Sequence, residues 1–149
     1  MPDTRLYDAD RVVLSFAGRL INSGYADGEF CAIEDESDAF TIKVGTDGEV
    51  TRSKTNNAAA KITISLMQSS KSNDFLSEML RRDKSTPGGA GIGVFELRDL
   101  QGNSLEHADA AWVMKNPPRK WARDPDSRVW VLQTGSIDTV VGSNILAAG

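Results

Sequence analysis

Glu34-Asp35-Glu36-Ser37-Asp38 places four carboxylates within five residues, a density that can serve acid–base chemistry or grip a divalent cation. The residues around it support neither use. An EF-hand loop needs a glycine and a closing glutamate at later offsets that are absent here, and no third ligand type or desolvating wall lies nearby. The segment reads as a solvated turn. His107 and Asp109 share one side of a strand, a pairing that a hydrolase would complete with a nucleophile. The sequence has no Gly-x-Ser-x-Gly elbow, and Cys31 carries no recognisable motif, so His107 reads as a structural or surface residue and Cys31 as a small buried hydrophobe. Thr86–Gly93 holds glycines at 88, 89, 91 and 93, which invites a phosphate-loop reading. Its context opposes one, because a helix precedes it and a strand follows, the reverse of a Walker or dinucleotide loop. No cofactor or metal motif remains.

The strongest electrostatic feature is a contrast between two segments. Lys115–Arg128 carries five Lys or Arg against two Asp around Trp121, and Asp27–Glu49 carries eight acids and one lysine. Basic residues around an aromatic can bind single-stranded nucleic acid by stacking, and they can equally anchor a protein contact. A formal net charge of −4 and a pI near 5.0 argue against a protein whose task is to grip nucleic acid. They leave open a surface past which nucleic acid slides.

The 149 residues fit one domain with a core that needs neither disulfide nor metal, and the single cysteine has no internal partner. No apolar run approaches the ~20 residues that cross a bilayer, and the charged start MPDTRLYDADR is unlike a signal peptide. The expectation is a soluble chain made in the cytoplasm, one domain over 1–149 with an extended N-terminal arm at 1–10 and a C-terminal arm at 139–149. The arm's Val140, Val141, Ile145 and Leu146 suit docking on a neighbour.

Periodicity places the elements. A first strand begins at Val12, with Val12, Leu14, Phe16 and Leu20 on one face and Val13, Ser15, Arg19 and Ile21 on the other. Asn22-Ser23-Gly24 and Asp27-Gly28 read as turns, and Glu29–Ile33 as a second strand. Phe40–Val44 continues the sheet, with Phe40, Ile42 and Val44 inward or toward a partner that covers that face. Asp47-Gly48 tolerates positive φ and joins it to Glu49–Ser53 as a hairpin. Thr51–Ala60 reads as an exposed polar loop. Lys61–Leu66 alternates strictly and turns Ile62, Ile64 and Leu66 to a core. The period then shifts, and Phe75, Leu76, Met79 and Leu80 form one stripe of a helix capped by Ser72 or Asn73 and ended by Pro87-Gly88-Gly89. Val94–Arg98 and Leu105–Met114 form a hairpin, with Ala108, Ala110, Trp112 and Met114 sharing one face of its second strand and Leu105, His107, Asp109, Ala111 and Val113 the other. The last strand, Val129–Ile137, is apolar on both faces and so is either central or covered by another subunit. The whole is a mainly β domain of two packed antiparallel sheets, a sandwich or barrel of seven or eight strands flanked by one helix.

The order Asp47-Gly48-Glu49, Arg52-Ser53, Lys61–Leu66, Ser69–Asn73 and Leu76, with Thr134-Gly135-Ser136-Ile137-Asp138 and Gly142, resembles the tail tube proteins of contractile-tailed bacteriophages. The resemblance covers most of the chain from Val12 onward, leaving out the N-terminal segment and the Lys115–Arg128 loop. It implies a structural virion protein without enzymatic activity. It further implies that six copies close into a ring whose inner sheets form a barrel, and that rings stack into the hollow inner tube of the tail, the conduit for DNA ejection. Pyocin and type VI secretion tubes share this architecture. Implied partners are further copies of the chain, the tail sheath, baseplate and terminator proteins, and, without tight binding, the tape measure protein and transiting DNA. The resemblance also implies assembly in the host cytoplasm, with no membrane insertion.

On this resemblance Glu29, Glu34, Asp35, Glu36, Asp38 and Glu49 are candidates for the lumen or the ring-to-ring surface. Arg52, Lys54, Arg119, Lys120, Trp121 and Arg123 are candidates for contacts between subunits. Thr51–Ala60 is a candidate stacking loop, because in this family a long loop between strands reaches the next ring. The competing reading is a small β-barrel or sandwich that binds single-stranded nucleic acid through Lys115–Arg128.

Overall fold

The computed structural model describes residues 4–22, 24–26 and 28–144. A 3-10 turn at Ala9–Arg11 leads into β1 (Val12–Phe16), which turns Leu14 and Phe16 inward. The chain then reverses at Ala17-Gly18, both with positive φ (53° and 79°), and returns as β2 (Arg19–Leu20). This two-residue turn corrects the reading of one continuous strand. It reverses the chain after Phe16, so Leu20 is exposed and Ile21 is buried, the opposite of an uninterrupted alternation.

Residues 24–26 and 30 run beside the end of a later strand, and β3 follows at Cys31–Asp35. Next come β4 (Phe40–Val44), β5 (Val50–Lys54) and β6 (Ala60–Met67). On β6 the expected alternation holds, with Ala60, Ile62, Ile64 and Leu66 all buried. Helix α1 spans Ser72–Ser85 and buries Leu76, Met79 and Leu80, while Phe75 packs its ring 6.1 Å from that of Phe16.

The helix start differs from expectation. Lys71 occupies the cap position without a side-chain bond, and the Ser70 hydroxyl accepts from the Ser72 N–H. Asn73 is engaged elsewhere: its amide donates to the Met67 carbonyl and its oxygen accepts from the Trp130 indole at 2.8 Å. After the helix, the Asp83 carboxylate accepts from the Ala90 and Gly91 N–H groups and ties down the glycine-rich connection.

The remaining strands are β7 (Gly93–Asp99), β8 (Leu105–Lys115), β9 (Ser127–Thr134) and β10 (Asp138–Val140). β7 and β8 form the expected hairpin, but a register shift between Gly93 and Phe95 swaps the faces halfway along β8. Ala108, Ala111 and Val113 are therefore the buried residues, instead of a strictly alternating set. β9 lies between β8 and β6, the central placement that its apolar character allowed.

The fold is mainly β, with one α-helix and two antiparallel sheets among the described residues. One is an eight-stranded sheet ordered β2-β1-β7-β8-β9-β6-β3 with β10 on β8, and the other is the β4-β5 pair. The large sheet curls. Tyr25 bridges Leu66 on β6 only five residues after Leu20 on β2, although five strand spacings separate β2 from β6 along the sheet. That path would be about 24 Å if flat, more than five residues can span. The curl gathers residues of β1, β6, β7, β8 and β9 with α1 into one core.

At the ends, the Arg5 guanidinium donates to the Asn144 carbonyl, and Gly102 bridges Asn144. The C-terminal arm thus begins as a sheet strand, while the docking expected of Ile145 and Leu146, the Asn22-Ser23-Gly24 turn at Ser23, the Asp27-Gly28 turn at Asp27, and arm residues 1–3 fall outside the described residues.

A candidate assembly surface

The β4–β5 pair is an outgrowth of the β3–β6 hairpin. The Glu36 N–H donates to Ala59 and the Thr55 N–H to Ala39 across its root, and Asn57 reaches the Ser37 hydroxyl. At the tip Gly48 adopts φ 86°, the Asp47 carboxylate accepts from the Glu49 N–H, and Gly45 donates to the Glu49 carbonyl, as the Asp-Gly signal predicts. Phe40 pairs with Lys54, Ile42 with Arg52 and Val44 with Val50. One face therefore carries Phe40, Ile42, Val44, Val50, Arg52 and Lys54, and the other carries Thr41, Lys43, Thr51 and Ser53.

All ten strand residues of this ribbon are exposed, Ile42 at 69%. The apolar face is not turned into the core of its own chain, which corrects the inward placement of Phe40, Ile42 and Val44. The physical reason is that β4 bonds only to β5, so the ribbon stands clear of the large sheet. Within Thr51–Ala60, Thr51–Lys54 belong to β5, and the irregular stretch is confined to residues 55–59. The Arg52 guanidinium sits 4.3 Å over the Phe40 ring, which shields part of the apolar face with a cation.

The six acidic candidates are all exposed but not gathered. Glu34, Asp35, Glu36 and Asp38 stand at the ribbon root, Glu49 at its tip, and Glu29 before the opposite end of β3. Glu34 and Asp35 point to opposite faces of β3. Among the described residues no three His, Cys, Asp or Glu side chains are placed to hold a metal ion.

Arg119, Lys120, Trp121 and Arg123 lie on the exposed connection between β8 and β9, with Trp121 at 80% exposure and Arg119 donating to the Pro117 carbonyl. The residue that organises this loop is Arg128, absent from the predicted set. Only 6% exposed, it lies 5.2 Å from the Trp121 ring and donates to the Lys120 and Ser127 carbonyls. Its place in β9 signals this, since 128, 130, 132 and 134 share the buried face.

On the outer face of β7 and β8, His107 contacts Asp109 at 2.9 Å and Glu96 at 3.7 Å, and Arg98 pairs with Glu96. The hydrogen bond to Asp109, aided by Glu96, raises the His107 pKa above its usual 6.5. Among the described residues the side-chain partners of His107 are these two carboxylates, with no nucleophile bonded to it. Cys31 packs against the core, and burial, followed by the nearby carboxylates of Glu106 and Glu29, pushes its thiol up to about 12. Such a thiol is inert as a nucleophile.

The sequence profile described as the bacteriophage PhiTE tail tube protein matches residues 16–142. A curated structural protein, ORF10 of Pseudomonas phage KPP10, is 29% identical over 122 residues, covering 82% of this chain and 70% of that protein. Among solved structures, the cap of the anti-feeding prophage, which terminates its tube, superposes with a TM-score of 0.58 at 8% identity over 94% of both chains. The sheath/tube terminator of an extracellular contractile injection system, PVC, gives a TM-score of 0.54 at 10% identity, over 91% of this chain and 97% of that one.

Proposed function

Because the chain belongs to the bacteriophage PhiTE tail tube protein family, a structural family of the phage virion tail, we propose that it assembles into stacked rings of six copies forming the hollow inner tube of a contractile tail, the conduit for DNA ejection. The observation that carries this reading is the β4–β5 ribbon. A two-stranded hairpin is marginal in water by itself, yet this one holds an apolar face that its own chain leaves uncovered. A surface on one copy that fits a different surface on the next gives an open stack.

In such a tube Glu29, Glu34, Asp35, Glu36, Asp38 and Glu49 supply carboxylates to the lumen or ring faces, where they repel phosphate and keep a passing duplex from sticking. Arg52 and Lys54 on the ribbon and Arg119, Lys120, Trp121 and Arg123 on the β8–β9 loop meet neighbouring subunits. The sheath surrounds the tube, baseplate and terminator proteins hold its ends, and the tape measure protein occupies the lumen before DNA. The role is structural, and assembly takes place in the host cytoplasm.

Negative-stain electron microscopy of the purified chain without nucleic acid tests this. Rings with a central hole, or hollow tubes, are the expected result. Small particles that retain single-stranded DNA in a salt-dependent way would instead favour a nucleic-acid module built on Lys115–Arg128. The fold likeness to a cap and a terminator favours one second reading, a ring that closes the tube. Such a ring would bind the ends of preformed tubes and would not elongate alone.

A further inference from the structure

The large sheet ends at β2 on one side and β3 on the other, and residues 24–26 and 30 bond along β6 beyond the end of β3. Between this stretch and β1–β2 lies a seam, a cleft of about 480 Å³ lined by Val12, Val13, Leu20, Tyr25 and Phe30, with Asp10 on its wall. An adjoining hollow beyond Phe30 adds Glu29 and Asp99. The seam is thus apolar with an acidic border, and the ribbon face is apolar with two cations. No ribbon residue lines the cleft of its own chain. The ribbon leaves the body beside Ala60, whereas Tyr25 bridges Leu66 at the other end of β6, about 20 Å away at 3.3 Å per residue.

We propose that this cleft receives the β4–β5 ribbon of a second copy in the adjoining ring, seating Phe40, Ile42 and Val44 along Val12, Val13 and Leu20 and setting Arg52 and Lys54 against Asp10 and Glu29. The contact deepens the tube reading and rests on it. Donor and acceptor are different surfaces of one chain, so each docked copy presents a fresh ribbon and the contact propagates. Charge complementarity selects the cleft as the acceptor: the basic β8–β9 loop would repel the ribbon's cations, and the acidic border of the seam attracts them.

The test combines charge exchange with cross-linking in the full chain. Reversing Arg52→Glu with Lys54→Glu, or Asp10→Lys with Glu29→Lys, should raise the critical concentration for sedimentable polymer at least about fivefold. The chain carrying all four changes should return close to the unmodified value. Separately, Ile42→Cys with Leu20→Cys in a Cys31→Ala background, treated with a short bis-maleimide, should yield a ladder of linked oligomers from the polymer. Polymer that forms without a ladder, or reversals that the combined chain does not rescue, would overturn the contact alone. Absence of any polymer from the unmodified chain would refute the tube reading and the contact with it.

Discussion

Ile42 and Ile62 sit on the same long hairpin, and substituting each should produce opposite phenotypes. Ile42 is 69% exposed and Ile62 is fully buried. Burying a whole isoleucine side chain contributes about 1.5–3 kcal/mol, so the two-thirds of Ile42 still in water represents about 1–2 kcal/mol available only to a contact with another copy. Ile42→Ser removes that share, which weakens each contact by a factor of about 5–30. The folded monomer loses almost nothing, within about 0.5 kcal/mol, because the side chain is already hydrated. Ile62→Ala instead opens a cavity in the core and costs about 2–5 kcal/mol of monomer stability. Urea midpoints measured below the polymerisation threshold report the monomer, and the critical concentration for sedimentable polymer reports the contact. A urea midpoint that drops as far for Ile42→Ser as for Ile62→Ala would show the ribbon packed on its own body. An unchanged critical concentration would show that no neighbour covers it. Either result refutes the reasoning.

Three further outcomes follow from the core and the outer face. A Cβ added at Gly93 would lie 2.5 Å from the Ala17 Cβ and 2.7 Å from its Cα, so Gly93→Ala should lower stability by about 1–3 kcal/mol in urea unfolding. Trp130→Phe removes the indole donor to Asn73 and should cost about 1 kcal/mol, seen as a lower urea midpoint. His107 should titrate above 6.5 in the folded chain, and Asp109→Asn should move that titration back toward 6.5 when followed by NMR. Its folded pKa is raised, so its contribution to stability is complete below 6.5 and is lost as pH rises through the folded value. The Asp109→Asn chain should show a flatter stability profile across that window.

Much of this fold is legible because local chemistry and burial coincide. The strict alternation of Ala60–Met67, the stripe Leu76, Met79 and Leu80, and the Asp47-Gly48 turn each state a period or a backbone need that the tertiary structure fulfils. The misreadings arise where one residue defeats the period. Ala17 adopts a left-handed φ without the Asn or Asp that usually announces it, and the β7–β8 register shift, marked in the sequence only by Gly93, reverses the faces of β8. Asn73 looks like a helix cap because that is its local option, but the Trp130 indole 57 positions away claims its oxygen. The ribbon is a different case. Phe40, Ile42 and Val44 declare an apolar face, and a period of two says nothing about which chain covers it.

Strand alternation also divides the acidic set. Cys31 and Ile33 pack against the core, and Asp35 follows them on that side of β3, where its charge adds to the burial that raises the Glu106 pKa. Ala32 and Glu34 face the other way, and Glu34 stands opposite Lys61 on β6. The outer surface of β3, β6 and β9 continues through Thr63, Ser65 and Gln133, which are polar, and Val129 and Val131, which are apolar, none of them charged. A lumen formed by that surface would owe little of its negative field to the strands, since the Glu34 carboxylate is offset by Lys61. The field would come from Glu36, Asp38 and Glu49, at the root and tip of the ribbon. If rings stack through the ribbon, those carboxylates recur at every junction between rings, spacing the repulsion along the bore where a duplex would otherwise settle. The hairpin that joins one ring to the next would then also keep the conduit from holding its cargo.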